Sequence, residues 1–145
     1  MSDAATRSKA ATTALTRATV SLFLERLGGG DPDLITELFA PEVDWLIAEN
    51  PAVPWIRPRR TRSDVAAHFR ALAAGRRADP DGTAIEAVVV EGEEAMISGF
   101  LAGTVHSTGK YFRSPFATRL TVRGGQITRF RVYEDSLAVA AACTP

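Results

Sequence analysis

Cysteine is nearly missing from this chain of 145 residues: there is one, Cys143, close to the C-terminal end. A single thiol forms no intrachain disulfide and cannot build a cysteine-rich zinc site. Histidine is also scarce, with His68 and His106 far apart and in no metal-ligand spacing. An excess of one charge is lacking, because Lys plus Arg is 17 and Asp plus Glu is 17. Nucleic acid and anionic membranes therefore gain no bulk attraction. No apolar run reaches the length of a transmembrane helix. The Ala/Thr/Ser-rich stretch from Met1 to Thr16 has no continuous apolar core of the signal-peptide kind. A phosphate-binding glycine loop is absent too, since Gly28-Gly29-Gly30 lacks the downstream pattern. These absences make a cytoplasmic protein the expectation, with neither nucleic acid nor membrane among its partners.

Hydrophobic residues make up 46% and charged residues 23%, the balance of a globular domain with one core. Residues 1–11 read as a flexible leader, followed by one domain over residues 12–145. The apolar stripe Leu15, Val20, Phe23, Leu24 and Leu27 predicts a helix over roughly 12–27, ended by the triple glycine. Asp31 and Pro32 open a short second helix, with Leu34, Ile35, Leu38 and Phe39 on its apolar face. Val43 to Ile47 reads as a strand, and the Pro-rich stretch 50–58 as a loop. A third helix starts at Thr61 or Ser63 and runs to about Ala74, with 75–81 a polar turn. Strands are then expected over 83–91, 95–106, 111–123 and 126–135, and a helical tail over 136–142. Gly124-Gly125 is a strong two-residue hairpin signal. Helices first and a meander afterwards indicate α+β, with the helices on one face of the sheet.

Gly30-Asp31, Leu38-Phe39-Ala40, Val43-Asp44-Trp45, the helix from Val65 to Phe69, and Gly125-Gln126-Ile127 followed by Tyr133-Glu134-Asp135 occur in an order that resembles the SnoaL-like and ketosteroid isomerase-like family of the nuclear transport factor 2-like superfamily. The resemblance covers about 16–142. It implies an α+β cone: a strongly curved mixed or antiparallel sheet wrapped over three N-terminal helices, enclosing one pocket. It also implies a homodimer, a small apolar or aromatic organic ligand, and chemistry without metal or organic cofactor.

On this resemblance Asp135 matches an acid/base aspartate, although it is equally placed to cap the tail helix. Tyr133, two positions earlier on a strand, shares its face and is a hydrogen-bond donor to a ligand or a packing residue. His68 stands where the family helix carries an aromatic, and is either a proton shuttle in the cavity or a partly exposed helix residue. Candidate lining residues are Trp45, Trp55, Ile47, Phe23, Leu101, Phe116, Thr118 and Leu120, each of which would serve equally as core. Phe23, Ile47 and Thr118 occupy the positions of the isomerase's tyrosine and two aspartates, so steroid isomerisation is not expected. The arginines at 57, 59, 60 and 62 read as a solvated loop or as attraction for an anionic ligand; Arg119, Arg129 and Arg131 read as solvent- or dimer-facing. The expectation is an enzyme using cofactor-independent acid/base chemistry, as an isomerase, polyketide cyclase, dehydratase or hydrolase. The alternatives are a non-catalytic binding protein and a protein-interaction module.

Overall fold

A computed structural model describes residues 2–145. Helix α1 spans Asp3–Gly29, so it begins at Asp3 and not near Thr12. The leader is helical because Ser2 caps it, its hydroxyl accepting from the Ala5 amide, and because alanine dominates the added turns. Thr16 and Thr13 pin α1 to the sheet: Thr16 Oγ1 donates to the Gly92 carbonyl (2.7 Å) and the Gly92 amide donates to Thr13 Oγ1 (2.9 Å). Helix α2 is short, Pro32–Thr36, with Asp31 as its cap. Leu38 packs in the core outside the helix, and Phe39 already opens strand β1, Phe39–Ile47. Helix α3, Arg62–Gly75, starts with a reciprocal capping box between Thr61 and Asp64.

Strand β2, Arg76–Ala78, occupies the stretch read as a turn. It is too short to show a period, and its pairing with β4 is what makes it a strand. The meander follows as β3 (Ala84–Glu91), β4 (Glu94–Val105), β5 (Tyr111–Arg123) and β6 (Gln126–Glu134). The β5–β6 turn needs positive φ at both residues, and Gly124 and Gly125 adopt 57° and 76°. Helix α4, Ser136–Cys143, ends the described chain.

The sheet order is β1-β6-β5-β4-β2, with β3 also on β4. β1 runs parallel to β6, and all other pairs are antiparallel. The fold is therefore α+β, a curled mixed sheet wrapped over helices. The concave face follows the period of two: Trp45, Phe130, Leu120 and Ala95 form one cross-strand row, and Ile47, Val132, Thr118 and Ile97 the next. Against it pack Val20 and Phe23 of α1 and Val65 and Phe69 of α3. Phe23, Phe39, Trp45, Phe69 and Phe130 form an aromatic core with ring centroids 4.5–6.4 Å apart, mostly edge to face. A second cluster closes the wide end of the cone: Val53, Trp55 and Ile56 of the Pro-rich loop, Val105, Phe112, and Val139 and Ala142 of α4. Asn50 Nδ2 ties that loop to α4 by donating to the Ser136 carbonyl at 2.9 Å.

Candidate functional site

The helix α3 stripe that buries Val65 and Phe69 also buries His68, which is 4% exposed. Its Nδ1 lies 3.1 Å from the Trp55 carbonyl. A carbonyl only accepts, so Nδ1 carries the proton and Nε2 keeps a lone pair. Its imidazole stands edge to face on Trp45, centroids 4.7 Å apart. Burial, against the Trp55 hydrogen bond and helped by the positive charges of Arg59 and Arg76, lowers its pKa from 6.5 to about 4. His68 is thus a neutral imidazole at physiological pH. Beside it Trp45 Nε1 is sealed from solvent with no hydrogen-bond partner among the described residues.

Strand phase decides the rest. On β6 the alternation Phe130, Val132, Glu134 points inward, because these residues pair with Leu120, Thr118 and Phe116 on the concave face of β5. Arg129, Arg131 and Tyr133 point outward. Tyr133 is 49% exposed on the convex face and does not reach the interior. Asp135 lies beyond the strand, exposed, where its Oδ1 accepts from the Ala138 amide at 3.1 Å and caps α4. The pairing of Asp135 with His68 across a cavity is therefore not found. The physical reason is strand phase: Asp135 has the outward parity of Tyr133, and just past the last β6 residue, Glu134, it turns into the cap of α4.

The inward carboxyl is Glu134. Burial raises its pKa, the charge of Arg76 opposes that rise, and the charge of Asp135 adds to it. Arg76 faces the same interior, since it pairs with the buried Val105 on β4. Its guanidinium pKa is lowered by burial, with Glu134 acting against the shift. The two charges lie within Coulombic reach, yet no ion pair within 4.0 Å joins them. Sequence reasoning missed both residues. The period-two run from Phe130 was the available signal for Glu134; Arg76 had none, because β2 itself is not legible.

Of the lining candidates, Phe116, Thr118, Leu101 and Ile47 occupy the concave face near Glu134. Trp55 is buried at the wide end, its carbonyl holding His68. Phe23 and Leu120 sit in the aromatic core, 2% and 0% exposed, and act as packing. A cavity of ≈ 160 Å³ opens at the ends of β1 and β6, lined by Leu46, Ile47, Ala48, Val132, Tyr133, Glu134 and Ser136. The arginines before α3 divide. Arg57 donates to the Val53 and Ile56 carbonyls and Arg62 to that of Phe39, Arg60 is exposed, and Arg59 Nε is sealed without a partner. On the convex face Asp44 bridges Arg129 and Arg131, and Glu94 pairs with Arg119. His106 is exposed, with its Nδ1 2.7 Å from the Ala74 carbonyl.

No helix among the described residues is long and apolar enough to cross a membrane. A comparison with the curated proteins finds no match. Solved structures share the fold. A nuclear transport factor 2-like protein from Burkholderia xenovorans LB400 is 26% identical with TM-score 0.77, over 91% of this chain and 98% of that one. A candidate isomerase from Bacillus subtilis is 18% identical with TM-score 0.71, over 90% and 94%. A candidate SnoaL-like polyketide cyclase from Jannaschia Sp. CCS1 is 23% identical with TM-score 0.73, over 92% and 94%. The family model of the SnoaL-like domain matches residues 20–130, and the chain belongs to the SnoaL-like domain family.

Proposed function

We propose that this protein is a small-molecule enzyme that moves a proton by acid/base chemistry, without a cofactor, inside the apolar cone. Glu134 is the proton carrier in place of Asp135. The observation that carries the reading is a carboxyl group half-buried on the concave face, whose pKa is raised by desolvation. Such a group holds and returns a proton nearer neutrality than an ordinary carboxylate does. In its ionised form Glu134 takes a proton from a carbon next to a substrate carbonyl. The C–H bond breaks, the electron pair moves to the carbonyl oxygen, and Arg76 faces the developing negative charge. Where a C=C adjoins that carbon, return of the proton from Glu134 at the far end of the conjugated system completes an isomerisation; attack of the carbanion on a second carbonyl, whose oxygen takes the proton back from Glu134, completes a cyclisation. His68 Nε2 accepts a hydrogen bond from a substrate hydroxyl. The isomerase and cyclase descriptions of the solved structures with this fold support the reaction class.

The specific observation favouring a non-catalytic binding protein is His68 itself, since an imidazole with a pKa of about 4 is a weak base at neutrality. Deuterium uptake from D2O into a panel of small apolar ketones separates the readings. The expected result is catalysed exchange that falls about a hundredfold in Glu134→Gln and stays near wild type in Asp135→Asn. Loss in Asp135→Asn instead, or no catalysed exchange in any ketone, sinks the proposal.

The proposal includes a homodimer through the convex face of the sheet. There Leu46, Met96 and Tyr133 are exposed around the ion pairs of Asp44, Arg129, Arg131, Glu94 and Arg119.

A further inference from the structure

We infer that the cone takes an apolar monocarboxylic acid, with its carboxylate held by the Arg76 guanidinium. The inference rests on the reading of the cone as a small-molecule site and narrows the ligand class. Arg76 enters the interior because β2 pairs it with Val105, a concave-face residue that is 1% exposed. Its side chain runs over Gly103, where an added Cβ would stand 3.1 Å from Arg76 Cδ and 2.8 Å from the Arg77 carbonyl oxygen. The bare glycine is what lets an arginine lie on this part of the sheet.

Once inside, the guanidinium makes no hydrogen bond and no ion pair among the described residues. Arg57, Arg62, Arg119, Arg129 and Arg131 have protein partners, whereas Arg59, with its Nε sealed, shares the lack of one with Arg76. A partly desolvated cation that its own protein leaves unpaired is unfavourable until an anion arrives. Glu134 does not fill that role, because no Arg76–Glu134 contact falls within the ion-pair distance. The balance of interior charge points the same way. Arg76 and Arg59 both act on His68, whereas Glu134 is the acidic residue among the inward positions of β4, β5 and β6. Guanidinium forks match carboxylates in two-point geometry, and they do so best where water is scarce. The rest of the ligand meets Leu101, Phe112, Phe116 and Ile47, which reward hydrocarbon and offer no charge. The cavity of ≈ 160 Å³ at the ends of β1 and β6 has Ile47 and Glu134 in its wall, with Arg76 outside that wall, and its size is that of a short acid and not of a drug-sized molecule, which needs about 300 Å³ or more.

Calorimetric titration with hexanoate and with hexanamide tests this, since the two differ in charge and hardly in shape. Wild type is expected to prefer hexanoate by about tenfold, Arg76→Met to lose that preference, and Arg76→Lys to keep part of it. Arg77→Met, on the opposite face of β2, keeps it in full. Circular dichroism melts of each variant show whether it folds; if Arg76→Met does not, Arg76→Gln, which keeps a polar end and removes the charge, is expected to lose the preference for hexanoate in the same way. Equal binding of acid and amide by wild type, binding of neither, or a preference that survives Arg76→Met overturns the inference. Equal binding together with Glu134-dependent exchange would leave the enzymatic reading standing. Acid preference without exchange would do the reverse.

Discussion

At the scale of the residue, two buried ionisable groups pull stability in opposite directions. His68 has a folded pKa of about 4 against 6.5 when exposed, so the unfolded chain binds the extra proton between those values. Stability is therefore complete above about pH 6.5 and falls as the pH drops towards 4, by about 3 kcal/mol in total. Urea midpoints measured from pH 4 to 8 are expected to show this fall in wild type and to lose most of it in His68→Phe. Arg59 and Arg76 are the charges that bear on the imidazole, and the Trp55 carbonyl is its fixed acceptor. Glu134 is the mirror case. Its raised pKa means that folding favours the protonated carboxyl, so the charged form is a cost that grows as pH rises. Glu134→Gln keeps the shape and removes that charge. It is expected to melt at a higher temperature than wild type at neutral pH, by a margin that disappears as the pH falls below the ordinary carboxylate value of 4.5, while losing the exchange activity. His68 was legible in the sequence as a polar residue beside Phe69 on an apolar helix face. Its tautomer was not, because Trp55 reaches it from a loop with no sequence relation to α3.

At the scale of the element, β6 and its successor decide which acid faces inward. A strand alternates sides at every residue, so with Phe130, Val132 and Glu134 inward, Asp135 has the outward parity of Tyr133 and would face outward even in a longer ladder. The ladder ends at Glu134 opposite Phe116, and the Asp135 amide turns aside to donate to Ser114 Oγ at 2.9 Å. The Asp135 carboxylate then serves α4 as its cap. Asp135→Ala is expected to lower stability by about 1 kcal/mol, whereas Asp135→Asn, which caps as well, leaves it nearly unchanged; thermal melts check both. Both uses of Asp135 fit the local sequence, which is why the choice was open there. The strands β4, β5 and β6 and the helix α3 announce themselves by period and cap. β2 does not, because its Arg-Arg-Ala is a strand only by virtue of the β4 edge it pairs with.

At the scale of the whole molecule, the curled sheet has two faces with different tasks. Its concave face holds the core and the polar groups of the site. Its convex face carries an ion-pair network bordered by exposed Leu46, Met96 and Tyr133, the pattern of an interface with charges that set register. Sedimentation at micromolar concentration is expected to give a dimer, and Tyr133→Asp, which sets a carboxylate among those apolar side chains, to give a monomer that keeps the wild-type circular dichroism spectrum. A monomeric wild type would leave that face unexplained. The Pro-rich loop and α4, joined through Asn50, pack together over one end of the sheet. The sequence by itself determined the α+β class, the order of the major elements and the hairpin at Gly124-Gly125. Those features follow from period, caps and turn chemistry, which act over a few neighbouring residues. Only the tertiary structure decided that Glu134 and not Asp135 looks into the cone, that Arg76 joins it there unpaired, and that His68 is held neutral. Each of those depends on the phase in which a strand pairs with its neighbour, which edge a short strand finds, or how deeply a side chain is buried, and none of these is a property of a local stretch of chain.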